Sequence, residues 1–398
     1  MLDLGVIVPT KSEYTSPIIL VETPGKEPRP CIDYRKLNAI TRDQLYPIPN
    51  LEERVETVSK AQYVSTLDLT RGYWHVPLTD RASQYAAFIS PLGTFRPLVM
   101  SFGLKNAPFC FSRLMDRVLT GTEAYALPCL DDIAAFSDNW EAQLLHLREV
   151  LTRLREAGLT VRAEKCKLGK AEVEYLGHVI GRGYRRPLDA NVAAIRDYPR
   201  PSTKTDIRAF LGLAGYYQHY IPGYSEMASP LTDSLRKEEP IKVNWNTSKE
   251  QAFLALKKAL TSRPVLKAPS YDRTFIVQCD ASERGMGAVL SQRDENGEEH
   301  PVLFVSRKLT TREEAYSATE KECACLVWAT HKLRCYLAGS RFVIETDHCP
   351  LTWLQNMSPK NGRLLRWSLA LQEHNFEVRY RKGKENGNAD GLSRGFVR

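Results

Sequence analysis

The stretch "PCLDDIAAFS" (Pro128–Ser137) places two adjacent carboxylates, Asp131 and Asp132, inside an apolar, strand-like run. Like charges this close repel each other, and burial adds the cost of lost hydration. Two interpretations stay open from this stretch alone. Either the pair binds a positive group, or it lies at the tip of a hairpin that faces water.

A third acid has a matching context, since Asp68 closes the run "YVSTLDL" (63–69). If the two strands are neighbours, Asp68 converges with the aspartate pair. Three carboxylates at one spot would bind hard divalent cations that also bind substrate phosphates. Two such ions roughly 4 Å apart support phosphoryl transfer. The alternative is that Asp68 caps the turn after its strand.

Four further acids are spaced along the C-terminal part of the chain: Asp280, Glu322, Asp347 and Asp390. Each has a local structural alternative, because Glu322 can complete a capping box with Thr319 and the aspartates can cap helices or start turns. Together the four could form a second two-metal site. The presence of two such sets in one chain favours the functional interpretation of both.

Basic residues near the first set suit phosphate groups. "RPCIDYRKLN" (29–38) supplies Arg29, Arg35 and Lys36, and the glycine-containing loop "FGLKNAP" supplies Lys105. Arginine forks match phosphate geometry, and backbone amides near glycine approach phosphates closely. The alternative for each residue is an ordinary solvated surface charge.

Composition indicates a globular, multidomain chain. Its 398 residues are 43% hydrophobic and 26% charged, and a net charge of +8 fits a polyanionic partner. The nine cysteines show neither a CxxC pair nor zinc-like spacing, which favours reduced thiols in an intracellular protein. No apolar stretch approaches the roughly 20 residues that span a bilayer, so we expect a soluble protein without a membrane partner.

The pattern of elements predicts three parts: residues 1–181, 182–270 and 271–398. In the first, residues 16–22 and 63–69 predict strands, 106–121 and 139–159 predict helices, and 171–183 predict a hairpin. In helix 139–159 the apolar stripe is predicted to contain Leu144, Leu147, Leu151 and Leu154. In the second part, Ser248 and Gln251 predict a capping box. The third part is predicted to be an α/β unit.

Ten blocks of the sequence, in order, resemble the pol polyprotein of gypsy-type LTR retrotransposons over nearly the whole chain. The resemblance implies a multidomain α/β (α+β) fold: a right-hand polymerase with fingers, palm and thumb, a connection region and a ribonuclease H-like domain. Residues 1–181 then correspond to fingers and palm, 182–270 to thumb and connection, and 271–398 to ribonuclease H. The blocks are "RPCIDYRKLNAIT", "YPIPNLEE", "STLDLTRGYWHVPL", "AAFISPLGTFRPLVMSFGLKNAPFCFSRLMDRVL", "CLDDIAAFS", "LTVRAEKCKLGKAEVEYLGHVI", "FLGLAGYYQHYIPGYS", "FIVQCDASERGMGAVL", "YSATEKECACLVWA" and "NADGLSR".

The resemblance also implies roles for individual residues. Asp68, Asp131 and Asp132 match the metal-binding aspartates of the palm. Arg29 matches an arginine that contacts the triphosphate, Tyr73 a bulky residue under the incoming sugar, and Lys165 a lysine that can protonate the leaving pyrophosphate. Lys105 is expected to contact the nucleotide, and "YLGH" (175–178) matches the primer grip. The ribonuclease H acids are matched by Asp280, Glu322 (preferred over Glu320), Asp347 and Asp390.

The implied function is that of an RNA-directed DNA polymerase with ribonuclease H activity. Its expected cofactor is Mg²⁺, with Mn²⁺ as a substitute, and its expected partners are an RNA template, a DNA primer, RNA/DNA hybrid and deoxynucleoside triphosphates. Family members work in cytoplasmic particles, so this location is expected, with the nucleus as the alternative. The sequence does not indicate an oligomeric state.

Two positions depart from the family pattern. Cys129 precedes the aspartate pair at a place where the family usually has an aromatic residue, and Ser101 replaces a usual proline. Neither change removes a metal ligand. They leave open the alternative of a catalytically impaired or co-opted nucleic-acid-binding remnant, and a nuclease that retains only the C-terminal activity is a further alternative.

Overall fold

The computed structural model describes residues 1–23, 26–47, 50–129, 132–262, 264–346 and 362–380, with only the backbone for residues 22, 23 and 26–30. The chain divides into two compact units. The first comprises Met1–Leu176 with Ile180–Arg182, and the second comprises Gly177–Val179 with Gly183–Arg398. The three-part division at residues 181 and 270 stays a prediction, since the second unit contains both of its later parts. Within the described ranges, no helix has the length and apolarity needed to cross a membrane.

The first unit alternates short strands and helices, as the sequence predicts. Its helices are α1 (Arg35–Ile40), α2 (Leu51–Ser59), α3 (Asp80–Tyr85), α4 (Ala107–Val118) and α5 (Trp140–Glu156), with short 3-10 turns at Gly72–His75 and Ala163–Lys165. Its strands are β1 (Ile7–Pro9), β2 (Ser16–Thr23), β3 (Lys26–Ile32), β4 (Tyr63–Asp68), β5 (Phe88–Ser90), β6 (Gly93–Pro97), β7 (Ala126–Cys129), β8 (Asp132–Ser137), β9 (Lys167–Lys170) and β10 (Val173–Tyr175). The described strands form a sheet in the order β1-β6-β5-β2-β3 and a second in the order β7-β8-β4-β9.

The predicted strands and helices of this unit are confirmed within a few residues. Strand β2 covers the predicted run at 16–22, and α4 lies inside the predicted helix 106–121. The segment 171–183 contains β10 and β11 (His178–Gly181), joined by Leu176 and Gly177. Both joining residues have positive φ, 45° and 74°, which is the backbone that a tight turn requires.

Helix α5 differs from its prediction in the face that it buries. Its buried residues are Gln143, Val150 and Leu154. In the predicted stripe Leu154 is therefore confirmed and Leu147 packs partly buried on the core, whereas Leu144 and Leu151 are exposed. The reason is a polar contact that periodicity does not show. Gln143 donates a 2.8 Å hydrogen bond from Nε2 to Oγ of the buried Ser65, which turns this face of the helix toward the β7-β8-β4-β9 sheet.

The second unit has a helical segment followed by an α/β segment. Its helices are α6 (Asp189–Arg196), α7 (Lys204–Tyr216), α8 (Tyr224–Met227), α9 (Ser229–Asp233), α10 (Thr247–Thr261), α11 (Thr311–Glu314), α12 (Ala318–Lys332), α13 (Arg334–Leu337) and α14 (Gly362–Leu371), with a 3-10 turn at Gln218–Tyr220. Its strands are β12 (Tyr184–Pro187), β13 (Leu266–Lys267), β14 (Phe275–Ala281), β15 (Gly285–Arg293), β16 (Glu299–Lys308), β17 (Phe342–Thr346) and β18 (Phe376–Tyr380). The described strands β16-β15-β14-β17-β18 form one sheet in that order, and α12 packs on it through a buried apolar cluster.

One predicted capping box is wrong, and the capping role offered as an alternative for Glu322 is not used, because the chain caps both helices with earlier residues. Helix α10 is capped by Asn246, whose side chain accepts a hydrogen bond from the Lys249 amide, and not by Ser248 with Gln251. Helix α12 begins after Ser317, which forms a capping box with Glu320 and not with Glu322. Both caps are residue types that favour the N-cap position, and the first buried residues of the two helices, Ala252 and Glu322, follow them in the second turn.

In the first unit, a buried tyrosine supports the segment before α4. The side chain of Tyr34 is 1% exposed, and its hydroxyl donates a 2.9 Å hydrogen bond to the carbonyl of Ala86. Burial raises the pKa of Tyr34 to about 12, an effect that a hydrogen bond with Ser101 opposes. Ser101, the serine that departs from the family pattern, is itself buried. Its hydrogen bond with Tyr34 gives its hydroxyl a polar partner in the core.

This burial predicts a stability loss in alkali. The tyrosine pKa is about 10 in an unfolded chain, so only the unfolded state ionises at first as the pH rises above 10. Stability should therefore be intact below pH 10 and fall by about 2–3 kcal/mol as the pH approaches 12. Tyr34→Phe should remove the part of the alkaline loss that Tyr34 contributes, at a cost of about 1 kcal/mol at pH 7 for the hydrogen bond. The contributions of other tyrosines whose pKa is raised by burial, such as Tyr175 and Tyr224, should remain. Urea unfolding at pH 7, 10 and 11 measures both effects.

Tyr14→Phe is the control, since Tyr14 is exposed and should leave the alkaline slope unchanged. An unaltered slope in Tyr34→Phe would contradict the assignment of the alkaline transition to Tyr34.

Candidate active sites

Two of the predicted palm aspartates lie directly opposite each other. Asp68 is the last residue of β4, Asp132 is the first residue of β8, and the two are paired in the antiparallel register of these strands. Both are partly buried. Strands β7 and β8 pair antiparallel, with Cys129 opposite Asp132, so the described residues on both sides of the aspartate pair form the two strands of a hairpin. Asp131 lies outside the described residues.

Lys165 supplies a positive charge to this pair. Its Nζ lies 3.1 Å from Oδ2 of Asp68, and the two side chains are 54% and 25% exposed. The segment is held beside the strand end because the Arg162 amide donates a 2.8 Å hydrogen bond to the Asp68 carbonyl. The lysine is therefore an ion-pair partner of a predicted metal ligand, a contact that the spacing of 97 residues does not reveal.

Cys129 is buried next to the acids and is only 4% exposed. Burial raises the pKa of its thiol, and the nearby Asp132 raises it further. It shares an apolar cluster with Tyr175, which is 3% exposed and whose pKa is raised by burial and then by Cys129. The charge of Arg54 on α2 opposes both shifts. Sequence reasoning assigned neither Arg54 nor Tyr175 individually to this neighbourhood, because no local pattern links α2, β7 and β10.

Tyr73 is fixed by other aromatic side chains. It lies in the 3-10 turn Gly72–His75, with its ring centroid 4.9 Å from that of Phe102 and 5.6 Å from that of Phe111. The preceding Arg71 has a φ of 52°, and its guanidinium lies 4.4 Å from the centroid of the Trp74 ring. The sequence signal for Tyr73 was its place after Asp68; the two phenylalanines that fix it were not predicted.

Lys105 lies in a loop that is fixed to helix α1. Its Nζ lies 2.6 Å from Oδ1 of Asp43, so in this structure its charge is paired. Asn38 of α1 holds the loop at two points, with its Nδ2 2.8 Å from the Gly103 carbonyl and its Oδ1 2.9 Å from the Lys105 amide. Arg29 lies in β3, opposite Val21 of β2. The structure therefore does not bring Lys105 and Asp68 into contact, and Asn38 is a loop-positioning residue that the sequence analysis missed.

The second unit brings two predicted acids to one place. Asp280 lies near the end of β14, and Glu322 of α12 accepts a hydrogen bond from the Ala281 amide, with 3.3 Å from N to Oε1. Glu320, the rival of Glu322, has a structural role, because it caps α12 and pairs with Arg363 at 2.9 Å. Asp347 and Asp390 lie outside the described residues.

A further carboxylate reaches the Asp280 region from helix α8. The Ser282 hydroxyl lies 3.3 Å from Oε2 of Glu226 and donates a hydrogen bond to it. Burial raises the pKa of Glu226, and the negative charge of Asp280 adds to the rise. No signal in the sequence relates Glu226 to Asp280, since 53 positions separate them and Glu226 lies in the part predicted as thumb and connection.

The two sites fall in segments that match known families. Residues 21–180 match the family described as reverse transcriptase (RNA-dependent DNA polymerase), and residues 270–374 match the RNase H-like domain found in reverse transcriptase. The matched segments contain Asp68, Asp132, Asp280 and Glu322.

Similar proteins cover almost the whole chain. The Drosophila melanogaster Pol polyproteins of transposons 297 and gypsy are 40% and 36% identical to it over 99% of its length. The chain spans only 37% and 39% of these relatives. The solved structure of a foamy viral protease-reverse transcriptase in complex with dsDNA has the same fold, with a TM-score of 0.82 and 22% identity over 96% of this chain and 80% of that one. The predicted polymerase and ribonuclease H-like architecture is thereby confirmed, and the chain belongs to the reverse transcriptase and ribonuclease H region of gypsy-type retrotransposon pol polyproteins.

Proposed function

We propose that this chain is an RNA-directed DNA polymerase that also cleaves the RNA strand of RNA/DNA hybrids. The observation that carries the proposal is the register of β4 and β8, which holds Asp68 opposite Asp132 at the ends of two core strands. Like charges directly opposite each other on paired strands destabilise the fold, because they repel. In a site that binds divalent cations together with a nucleotide, the same arrangement of carboxylates serves to hold the cations.

The donor set fits Mg²⁺, with Mn²⁺ as a substitute, because hard cations prefer carboxylate oxygens. Asp68 and Asp132, with Asp131, would hold the ions of the polymerase site. When bound, the ions would neutralise charge on the phosphoryl group and lower the pKa of the primer hydroxyl.

Lys165 is the proton donor of this proposed site. As the ion pair with Asp68 opens, its ammonium becomes available to give a proton to the leaving pyrophosphate.

The other residues of the first unit position the nucleotide. The Tyr73 ring, held between Phe102 and Phe111, forms a rigid wall that excludes a ribose 2′-hydroxyl. Lys105 and Arg29 contact the triphosphate. To do so, Lys105 breaks its ion pair with Asp43 and forms one with a phosphate oxygen. Substrates of this site are deoxynucleoside triphosphates, an RNA template and a DNA primer.

In the second unit, Asp280 and Glu322, with Asp347 and Asp390, would hold the ions of the nuclease site. The choice of Glu322 over Glu320 is supported by the geometry, because Glu320 is used by the helix cap and by Arg363. Glu322 instead directs its carboxylate to the end of β14, where Asp280 lies. The cytoplasmic, particle-associated location stays a prediction.

For the polymerase site, Asp132→Asn should reduce primer extension on an RNA template by at least about 100-fold, because it removes a ligand charge from the reacting centre. Binding of RNA/DNA hybrid should change little, since it depends mainly on phosphate contacts. Extension with Mg²⁺ and hybrid binding are measured on the same protein. Asp138→Asn is the matched control, because Asp138 is exposed just beyond β8.

Extension by Asp132→Asn at the rate of the control would contradict the proposed site. Lack of extension by the unaltered chain, with hybrid binding retained, would instead favour the nucleic-acid-binding remnant.

For the nuclease site, Asp280→Asn should abolish cleavage of the RNA strand and leave primer extension unchanged. The reason is that Asp280 belongs to the second unit, whereas β4 and β8 belong to the first. Gel analysis of a labelled hybrid measures cleavage, and Asp272→Asn, at an exposed position, is the control. An equal loss of synthesis and cleavage would overturn the assignment of separate sites.

A further inference from the structure

The first unit contains a cavity of about 430 Å³ that neither set of acids lines. Its apolar part includes Val76, Leu78, Met100 and Leu114, and its polar part comes from α4 and the segments beside it. This volume lies in the range of small-molecule sites, which combine apolar walls with a few placed polar groups.

One wall of the cavity is a strap formed by residues 42–47 along helix α4. Asn106, the residue before α4, holds the strap at two points, with its Nδ2 2.9 Å from the Arg42 carbonyl and its Oδ1 3.2 Å from the Gln44 amide. Farther along the helix, the Tyr46 hydroxyl bonds to the Asp116 carboxylate. The cavity is therefore a feature built by side chains at both ends of α4, and Gln44 of the strap faces into it.

The polar lining is cationic. Arg113 and Arg117 lie one turn apart on α4, so their side chains are neighbours on one face of the helix, and both line the cavity. Neither guanidinium forms an ion pair or donates a hydrogen bond within the described part of the chain. None of the described residues that line the cavity carries a carboxylate, and Asp116 between the two arginines is hydrogen-bonded to Tyr46.

We propose that this cavity binds a small aromatic anion, with its flat apolar body against Val76, Leu78 and Met100 and its phosphate or carboxylate head between Arg113 and Arg117. Two guanidinium forks beside an apolar recess match such a ligand in charge and shape. The site goes beyond the proposed function, because none of the predicted catalytic residues lines it.

Calorimetric titration with 1-naphthyl phosphate tests the proposal, and 1-naphthol is the neutral ligand of the same shape. The phosphate should bind and naphthol should bind at least tenfold more weakly. The double variant Arg113→Gln/Arg117→Gln should lose at least tenfold in affinity for the phosphate. Arg148→Gln/Arg155→Gln is the matched control, because these two arginines are exposed on α5 and should leave binding unchanged.

Cys110 provides a second measurement, since it lines the cavity and its thiol lies 3.4 Å from Oε1 of Gln44. Naphthyl phosphate should slow alkylation of Cys110, detected by peptide mass spectrometry, and should not slow alkylation of the exposed Cys335. Binding should persist in Asp68→Asn, which separates this site from the polymerase site. No binding, equal binding of naphthol, unaltered affinity in the double variant, or no protection of Cys110 would each overturn the proposal.

Discussion

The antiparallel pairing of β4 with β8 is the constraint on which the first unit depends. It fixes Asp68 opposite Asp132 at the point where both strands leave the core, so neither carboxylate can be moved without breaking the register that buries Leu67 and Ile133. The apolar side chains of the strands therefore stabilise an arrangement that electrostatics alone would oppose. Lys165 reduces this repulsion from a neighbouring segment, which places the charge balance of the site outside the two strands themselves.

Much of this arrangement could be predicted from the sequence. The remaining parts could not be predicted, and each failure has a physical reason. Strand and helix positions follow from local periodicity, and Asp68 and Asp132 follow from acids at strand ends. For helix α5 the predicted stripe was half right: Leu154 is buried, whereas Leu144 and Leu151 are exposed, and Gln143 on the buried face has a partner in Ser65 of a distant strand. The alternative role of Glu322 as a cap partner of Thr319 could not be excluded from the sequence because several residues in that segment can cap, and only the folded chain shows that Ser317 does so. Glu226 could not be predicted, since its position depends on packing between segments far apart in sequence.

The two departures from the family pattern are both accommodated by the core. Cys129 replaces a large ring with a small thiol, and it packs in a cluster that includes the ring of Tyr175. Ser101 introduces a hydroxyl, and Tyr34 provides a partner for it in the same buried region. In the structure with both residues present, β4 and β8 keep the register that places Asp68 opposite Asp132.

The ion pair between Lys165 and Asp68 also bears on how the first unit tolerates its own acids. Two carboxylates held at one place raise the free energy of the folded state, because each loses hydration and repels the other. The Lys165 ammonium lies against one of them and belongs to the chain itself, so part of the compensating charge folds together with the acids. The acidic site is therefore assembled with a partial counter-charge already in place.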